Sequence, residues 1–202
     1  MRLGYWLAHR FVYYTVKLLW GLKITRYGCL PKAGPVVIAS NHISFIDPPV
    51  VAVSIKREAH FAAKEPLFRN KILGPIITYL NAFPVKRGGF DNAALKNSLQ
   101  ALYQGGVLIM FPEGTRSRIG GLLPFKRGIG YVVSKTQAVV LPVYIEGSNQ
   151  LKQRFFQPGG ITIRIGEPIY NLADKFPGKE GFDLIASAVK EEIIKLKVKS
   201  SS

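Results

Sequence analysis

The chain has 202 residues, 48% of them hydrophobic, and a formal net charge of +16. That apolar content excludes a disordered basic tail, and the length suits one domain with a continuous core. The charge calls for an anionic partner, either nucleic acid or an anionic membrane, while the single Cys29 excludes an intramolecular disulfide or a cysteine-built zinc site and fits a reducing cytosol.

Residues 3–22 are apolar and aromatic, interrupted by His9, Arg10 and Lys17. Trp6, Tyr13 and Trp20 recur every seven residues with Arg10 and Lys17 beside them. On a helix these form one aromatic and basic stripe, opposite Leu3, Leu7, Phe11, Leu18 and Leu22. The pattern predicts an amphipathic helix in the headgroup layer of a membrane; a helix that simply packs on the domain is the plainer alternative. A spanning helix needs ~20 mostly uncharged residues, and each central Arg or Lys costs roughly 2.5–3.5 kcal/mol. A signal peptide needs an unbroken apolar centre and small residues before a cleavage site, which this stretch lacks. No acidic residue precedes Asp47, whereas Arg2, Arg10, Lys17, Lys23, Arg26 and Lys32 all do, which favours anionic lipid.

The short β-branched run 35–39 reads as a buried strand. Ser40 to Pro49 follows, carrying His42 and Asp47; Asp47-Pro48 reads as a helix start, with the aspartate as cap and the proline at the first helical position. The expected order continues with a helix to Ile55, a strand over 59–63 ending at Lys64, and two short helical pieces over 70–79 split by Gly74-Pro75. Then come a strand over 83–87 leading into Gly88-Gly89, an amphipathic helix over 91–103 and a continuous apolar strand over 107–111. The polar loop 112–118 is followed by a helix within 124–136, strands over 138–145 and 160–165, and a terminal helix over 182–197. This alternation predicts a single-domain α/β fold, a largely parallel mixed sheet flanked by helices.

His42 is the natural general base, because imidazole titrates near neutrality, and Asp47 could fix its tautomer. An extended segment would hold the two about 16 Å apart, so they meet only if the loop folds back. In isolation the pair is weak evidence, since Asp47 could be only a cap and His42 a polar turn residue. No Ser or Cys stands in a nucleophile elbow, so the attacking group is the substrate's own hydroxyl. Arg87 ends one strand and Arg116 follows another, and both fall at the same sheet edge as His42. Guanidinium groups grip phosphate through paired hydrogen bonds, and Lys64 or Lys86 adds a point charge. Gly88, Gly89 and Gly114 allow a ligand near the backbone. Glu113 could bind a hydroxyl, orient Arg116 or belong to a surface turn.

Taken in order, Asn41-His42 through Asp47, Phe83-Pro84-Val85-Lys86-Arg87, Phe111-Pro112-Glu113-Gly114-Thr115-Arg116-Ser117 and Leu141-Pro142-Val143 resemble the four blocks of glycerolipid acyltransferases. The chain is most similar to the bacterial 1-acyl-sn-glycerol-3-phosphate (lysophosphatidate) acyltransferases, over about residues 25–170. The second block departs from the family's usual pattern, with Asn81-Ala82 where a Gly precedes the Phe. The expected organisation is the interfacial helix over 1–24, read from its stripe and charge, followed by an acyltransferase domain over 25–202. The resemblance implies His42 and Asp47 as the catalytic pair, and Arg87, Glu113, Gly114, Thr115 and Arg116, with Lys64, as the acceptor site. The implied reaction takes an acyl group from acyl-CoA or acyl carrier protein, as co-substrate, to the free hydroxyl of lysophosphatidate, with no metal, cofactor or acyl-enzyme. The alternatives are the same chemistry on glycerol-3-phosphate or another lysophospholipid, and a non-catalytic membrane-binding protein. A membrane lipid substrate and an anionic membrane surface are the expected partners, and nucleic acid is not, because the basic residues are scattered among apolar strands without a nucleic-acid motif. The expected location is the cytoplasmic face of the cell membrane, peripheral or monotopic.

Overall fold

The structure, a computed structural model, describes residues 1–86, 91–117 and 121–199. Fifteen elements follow in order. They are α1 (Leu3–Trp20), β1 (Lys23–Arg26), β2 (Val36–Ser40), α2 (Asp47–Val53), β3 (Ala59–Lys64), α3 (Glu65–Phe68), α4 (Leu73–Tyr79) and β4 (Ala82–Val85). After these come α5 (Asn92–Tyr103), β5 (Val107–Met110), α6 (Gly128–Thr136), β6 (Val139–Glu146), β7 (Thr162–Ile165), α7 (Leu172–Lys175) and α8 (Gly181–Val198). The strands form one sheet in the order β1-β7-β6-β2-β5-β3-β4. Pairings from β6 through β4 are all parallel; β7 runs antiparallel to β6 and parallel to β1, so the sheet is mixed and largely parallel as expected.

Side chains on the central strands alternate between two cores, as the period of a pleated strand requires. Val36, Ile38, Ile109, Leu141, Val143 and Ile145 pack with α1 and α2 on one face. Val37, Ala39, Leu108, Val140 and Tyr144 pack with α5, α6 and α8 on the other. Strands buried on both sides read as unbroken apolar runs, which is why β2, β5 and β6 are plain in the sequence.

Several expectations are corrected. Residues 73–79 form one helix rather than two pieces, because Pro75 falls in its first turn, where its missing N–H costs nothing. The Asn70 Oδ1 accepts from the Ile72 and Leu73 N–H groups at 3.0 and 2.9 Å and so caps that helix. On α1 the aromatic stripe divides. Tyr13 and Trp20 pack against the core, and the Trp20 Nε1–H donates to Leu151 O at 2.8 Å. Leu3, Leu7, Phe11, Tyr14 and Leu18 are left exposed. Leu3, Leu7, Phe11 and Leu18 thus face outward as expected, but Leu22 lies beyond α1 and is buried in the core, and two of the three stripe aromatics fasten the helix to the domain. Among the described residues no helix is long and apolar enough to cross a membrane.

Candidate active site

Every strand from β6 to β4 points the same way, so the segments leaving their C-terminal ends gather at one sheet edge. His42 and Asp47 follow β2, Lys64 ends β3, and Glu113 to Arg116 follow β5. Arg87 lies outside the described residues, together with Gly88 and Gly89.

The loop after β2 folds back as the His–Asp chemistry requires. The His42 Nδ1–H donates to Asp47 Oδ2 at 2.8 Å. The Ile43 and Ser44 N–H groups donate to the same oxygen at 2.7 Å each. Asp47 is not the helix cap expected of it: it is the first residue of α2, and its carboxylate turns back to organise residues 42–44. Pro48 and Pro49 carry no N–H, so the first turn of α2 offers the carboxylate fewer donors than the turn ahead of it does. Asp47 is wholly buried, whereas the His42 side chain keeps 16% of its surface. Behind the imidazole, Phe111 stacks at 4.3 Å and 26° between planes. With Nδ1 facing a carboxylate that only accepts, the free lone pair is on Nε2, the arrangement a general base needs.

Asn41 locks this loop to the sheet. Its amide accepts from Ile145 N–H and donates to Ile145 O, both at 2.8 Å, and so extends the β2–β6 ladder by one rung past Ser40↔Val143. On the other side, the Ser117 N–H donates to His42 O at 2.7 Å. Glu113, read from the sequence as an acceptor contact, points inward and is 2% exposed. Its carboxylate accepts from the His42 N–H at 3.1 Å and from the Leu123 N–H at 3.2 Å, bracing both loops.

Burial raises the Glu113 carboxyl above its ordinary value, against the lowering effect of those two N–H donors and of His42. A folded-state value above the unfolded one means that the folded chain binds more protons between the two. Stability from this group therefore falls as pH rises through that window, starting near the unfolded value of ~4.3. Glu113→Gln removes the titration and sets an amide N–H against a backbone N–H. At neutral pH it is expected to cost about 2–3 kcal/mol. Urea midpoints across pH 4 to 8 check both points: the stability advantage of the wild type over the variant should be largest at the acid end and shrink as pH rises. A constant gap would remove the titrating role.

Arg116 is half-buried and lines an open groove of about 430 Å³ with Ile43, Ser44, Phe45, Ser148 and Lys152. Among the described residues it makes no ion pair with a carboxylate. Gly114 and Thr115 are exposed at the loop tip, and the Lys126 chain lies across Gly114, where an added Cβ would sit 2.9 Å from its Nζ. Lys64 is half-buried at the same edge. Sequence reasoning missed Phe111, Lys126, Lys152 and Ser148 as parts of this site. In the Asn81-Ala82 pair that departs from the family's glycine, Asn81 takes the left-handed backbone itself at φ 65°.

The family model described as "Acyltransferase" matches residues 22–146. The 1-acyl-sn-glycerol-3-phosphate acyltransferase of Bacillus subtilis is 30% identical over 182 residues, 89% of either chain. That of Borreliella burgdorferi is 28% identical over 88% of this chain and 73% of its own. Among solved structures, the 1-acyl-sn-glycerophosphate (LPA) acyltransferase PlsC of Thermotoga maritima superposes with a TM-score of 0.74 at 29% identity, covering 96% of this chain and 79% of its own.

Proposed function

The chain belongs to the acyltransferase family, and from that premise we propose that it acylates the free hydroxyl of 1-acyl-sn-glycerol-3-phosphate, giving phosphatidate, with acyl-CoA or acyl carrier protein as donor. The observation that carries the reading is the His42–Asp47 pair at 2.8 Å beside a groove that Arg116 lines. Arg116, with Arg87 and Lys64, holds the acceptor phosphate by charge-assisted hydrogen bonds, while Gly114 and Thr115 let it close on the loop backbone. His42 Nε2 takes the hydroxyl proton as that oxygen attacks the thioester carbonyl carbon. The carbon–sulfur bond then breaks, the leaving thiolate receives the proton from His42, and the new ester stays in the lipid phase. Asp47 holds the ring and stabilises the imidazolium during the transfer.

The acceptor reaches the groove from a membrane. Leu3, Leu7, Phe11 and Leu18 on α1 lie exposed, as do Ile72 just ahead of α4 and Ile76 and Tyr79 on it, and Gly4 packs against Tyr79 where the two helices meet. With a net charge of +16, this apolar surface suits the anionic cytoplasmic leaflet. The test is a panel of lysophosphatidate, glycerol-3-phosphate and lysophosphatidylcholine, presented in anionic or neutral vesicles with labelled acyl-CoA or acyl carrier protein. Lysophosphatidate should lead in kcat/KM by about tenfold or more, since glycerol-3-phosphate lacks the acyl chain and lysophosphatidylcholine caps the phosphate with choline. Turnover should also be higher on anionic vesicles and fall with salt. Preference for lysophosphatidylcholine would overturn the acceptor assignment.

A further inference from the structure

Asp47 has two oxygens, and they are held very differently. Oδ2 takes the three N–H donors of residues 42–44, all from its own loop. Among the described residues, Oδ1 takes one donor, the Ser148 hydroxyl, at 2.6 Å and from 101 positions away. Both Ser148 and Asp47 are fully buried, so no solvent can replace that bond. At 2.6 Å the contact falls in the range of a charge-assisted O–H···O⁻ bond, about twice as strong as a neutral one.

We propose that Ser148 is a positioning residue for the acyl-transfer reaction, fixing the plane of the Asp47 carboxylate and through it the orientation of His42. The three loop donors all meet Oδ2, so they leave the carboxylate free to swing about that oxygen. Ser148 stops that swing by holding Oδ1 from two residues past β6, the strand tied to the catalytic loop by the two Asn41–Ile145 bonds. Rotation of the carboxylate would carry Oδ2 off the Nδ1–H axis and free the imidazole to turn. Without the hydroxyl, Oδ1 becomes a buried acceptor with no donor, and the carboxylate gains a reason to rotate.

The proposal rests on His42 being the base assigned above, and the test separates the two. Ser148→Ala should lower kcat about 10- to 100-fold, the scale of one buried hydrogen bond to a charged group, with KM for acceptor and donor within about twofold. Ser148→Thr, which keeps the hydroxyl, should recover most of that loss. In a background already carrying Asp47→Asn, Ser148→Ala should add little, because the effect runs through the carboxylate. In ¹⁵N-histidine-labelled protein with no substrate present, the downfield Nδ1–H resonance of His42 should weaken or exchange faster in Ser148→Ala. That signal reports the geometry whatever the acceptor proves to be; failure of the wild type on every acceptor would instead strike the acyltransfer reading. An unchanged kcat with an unchanged resonance would overturn the proposal. So would a rise in KM at constant kcat, which would mean the hydroxyl touches substrate, or a full multiplicative loss on top of Asp47→Asn.

Discussion

Replacing His42 by alanine is expected to lower kcat by about 10³- to 10⁴-fold while leaving the protein folded and bound to anionic vesicles. The size follows from what the ring does. In the proposed reaction it takes a proton from a hydroxyl and returns it to a thiolate, and its Nδ1 is already committed to Asp47. The Lys64 and Lys126 ammonium groups carry no acceptor lone pair, and the Glu113 carboxylate is buried with both oxygens engaged. Among the described residues no neighbour can therefore substitute. The cost in stability should be small, about 1 kcal/mol, since the ring contributes one stacked contact with Phe111 and one hydrogen bond. Vesicle binding should persist because α1 and α4 supply the exposed apolar surface and neither includes His42. Steady-state kinetics on lysophosphatidate, with vesicle co-sedimentation as the control, decide the matter. Turnover within tenfold of wild type would end the general-base role of His42.

How far the sequence carries a reader depends on where the determining contacts lie along the chain. The His42–Asp47 loop is legible because its partners are five residues apart and the strand before it and the proline within it mark its ends. Its internal geometry is not. Asp47 offers the same signal whether its carboxylate caps forward or turns back, and only the folded loop shows that the Ile43 and Ser44 N–H groups win. Strand β1 carries no readable signal: it is four residues long, lies at the sheet edge, and is held by parallel pairing with β7, 139 positions on at Lys23↔Thr162. The direction of β7 is likewise invisible in Thr162 to Ile165. It is set by the chain between β6 and β7, which returns along the same sheet edge instead of crossing over it.

Ser148 is the sharpest instance. A serine after a strand carries no local mark, and its function exists only because β2 and β6 are neighbours in space. Glu113 makes the converse point. Within the acyltransferase block its residue type suggests contact with a ligand, yet its burial and its two backbone donors make it a brace beneath His42. A short block of polar residues can thus be specific for a reaction while only some of its members face the groove.

Gly147→Ala should be among the most destabilising single substitutions, at about 3–5 kcal/mol, and should impair catalysis in whatever fraction stays folded. Two penalties combine there. The backbone stands at φ 85°, a conformation that costs an L-residue roughly 1–2 kcal/mol. A Cβ at this position would also overlap the Gly160 carbonyl oxygen and approach Arg154 Nη1 to 3.2 Å. That carbonyl cannot easily move away, because the Arg154 Nη1–H donates to it at 3.1 Å and Ile161 N–H is bonded to Trp20 O at 3.1 Å. Gly34→Ala separates the two penalties: its φ is 81°, yet nothing lies within 4 Å of the added methyl, so it should cost only about 1 kcal/mol. Any adjustment that relieves the overlap at residue 147 must shift its neighbour Ser148, and with it the hydroxyl on Asp47. The predicted signature is therefore a lower urea midpoint joined to a lower kcat per folded molecule, against a modest midpoint change and normal kcat for Gly34→Ala. Equal destabilisation by the two substitutions would show that the close approach to Gly160 contributes nothing.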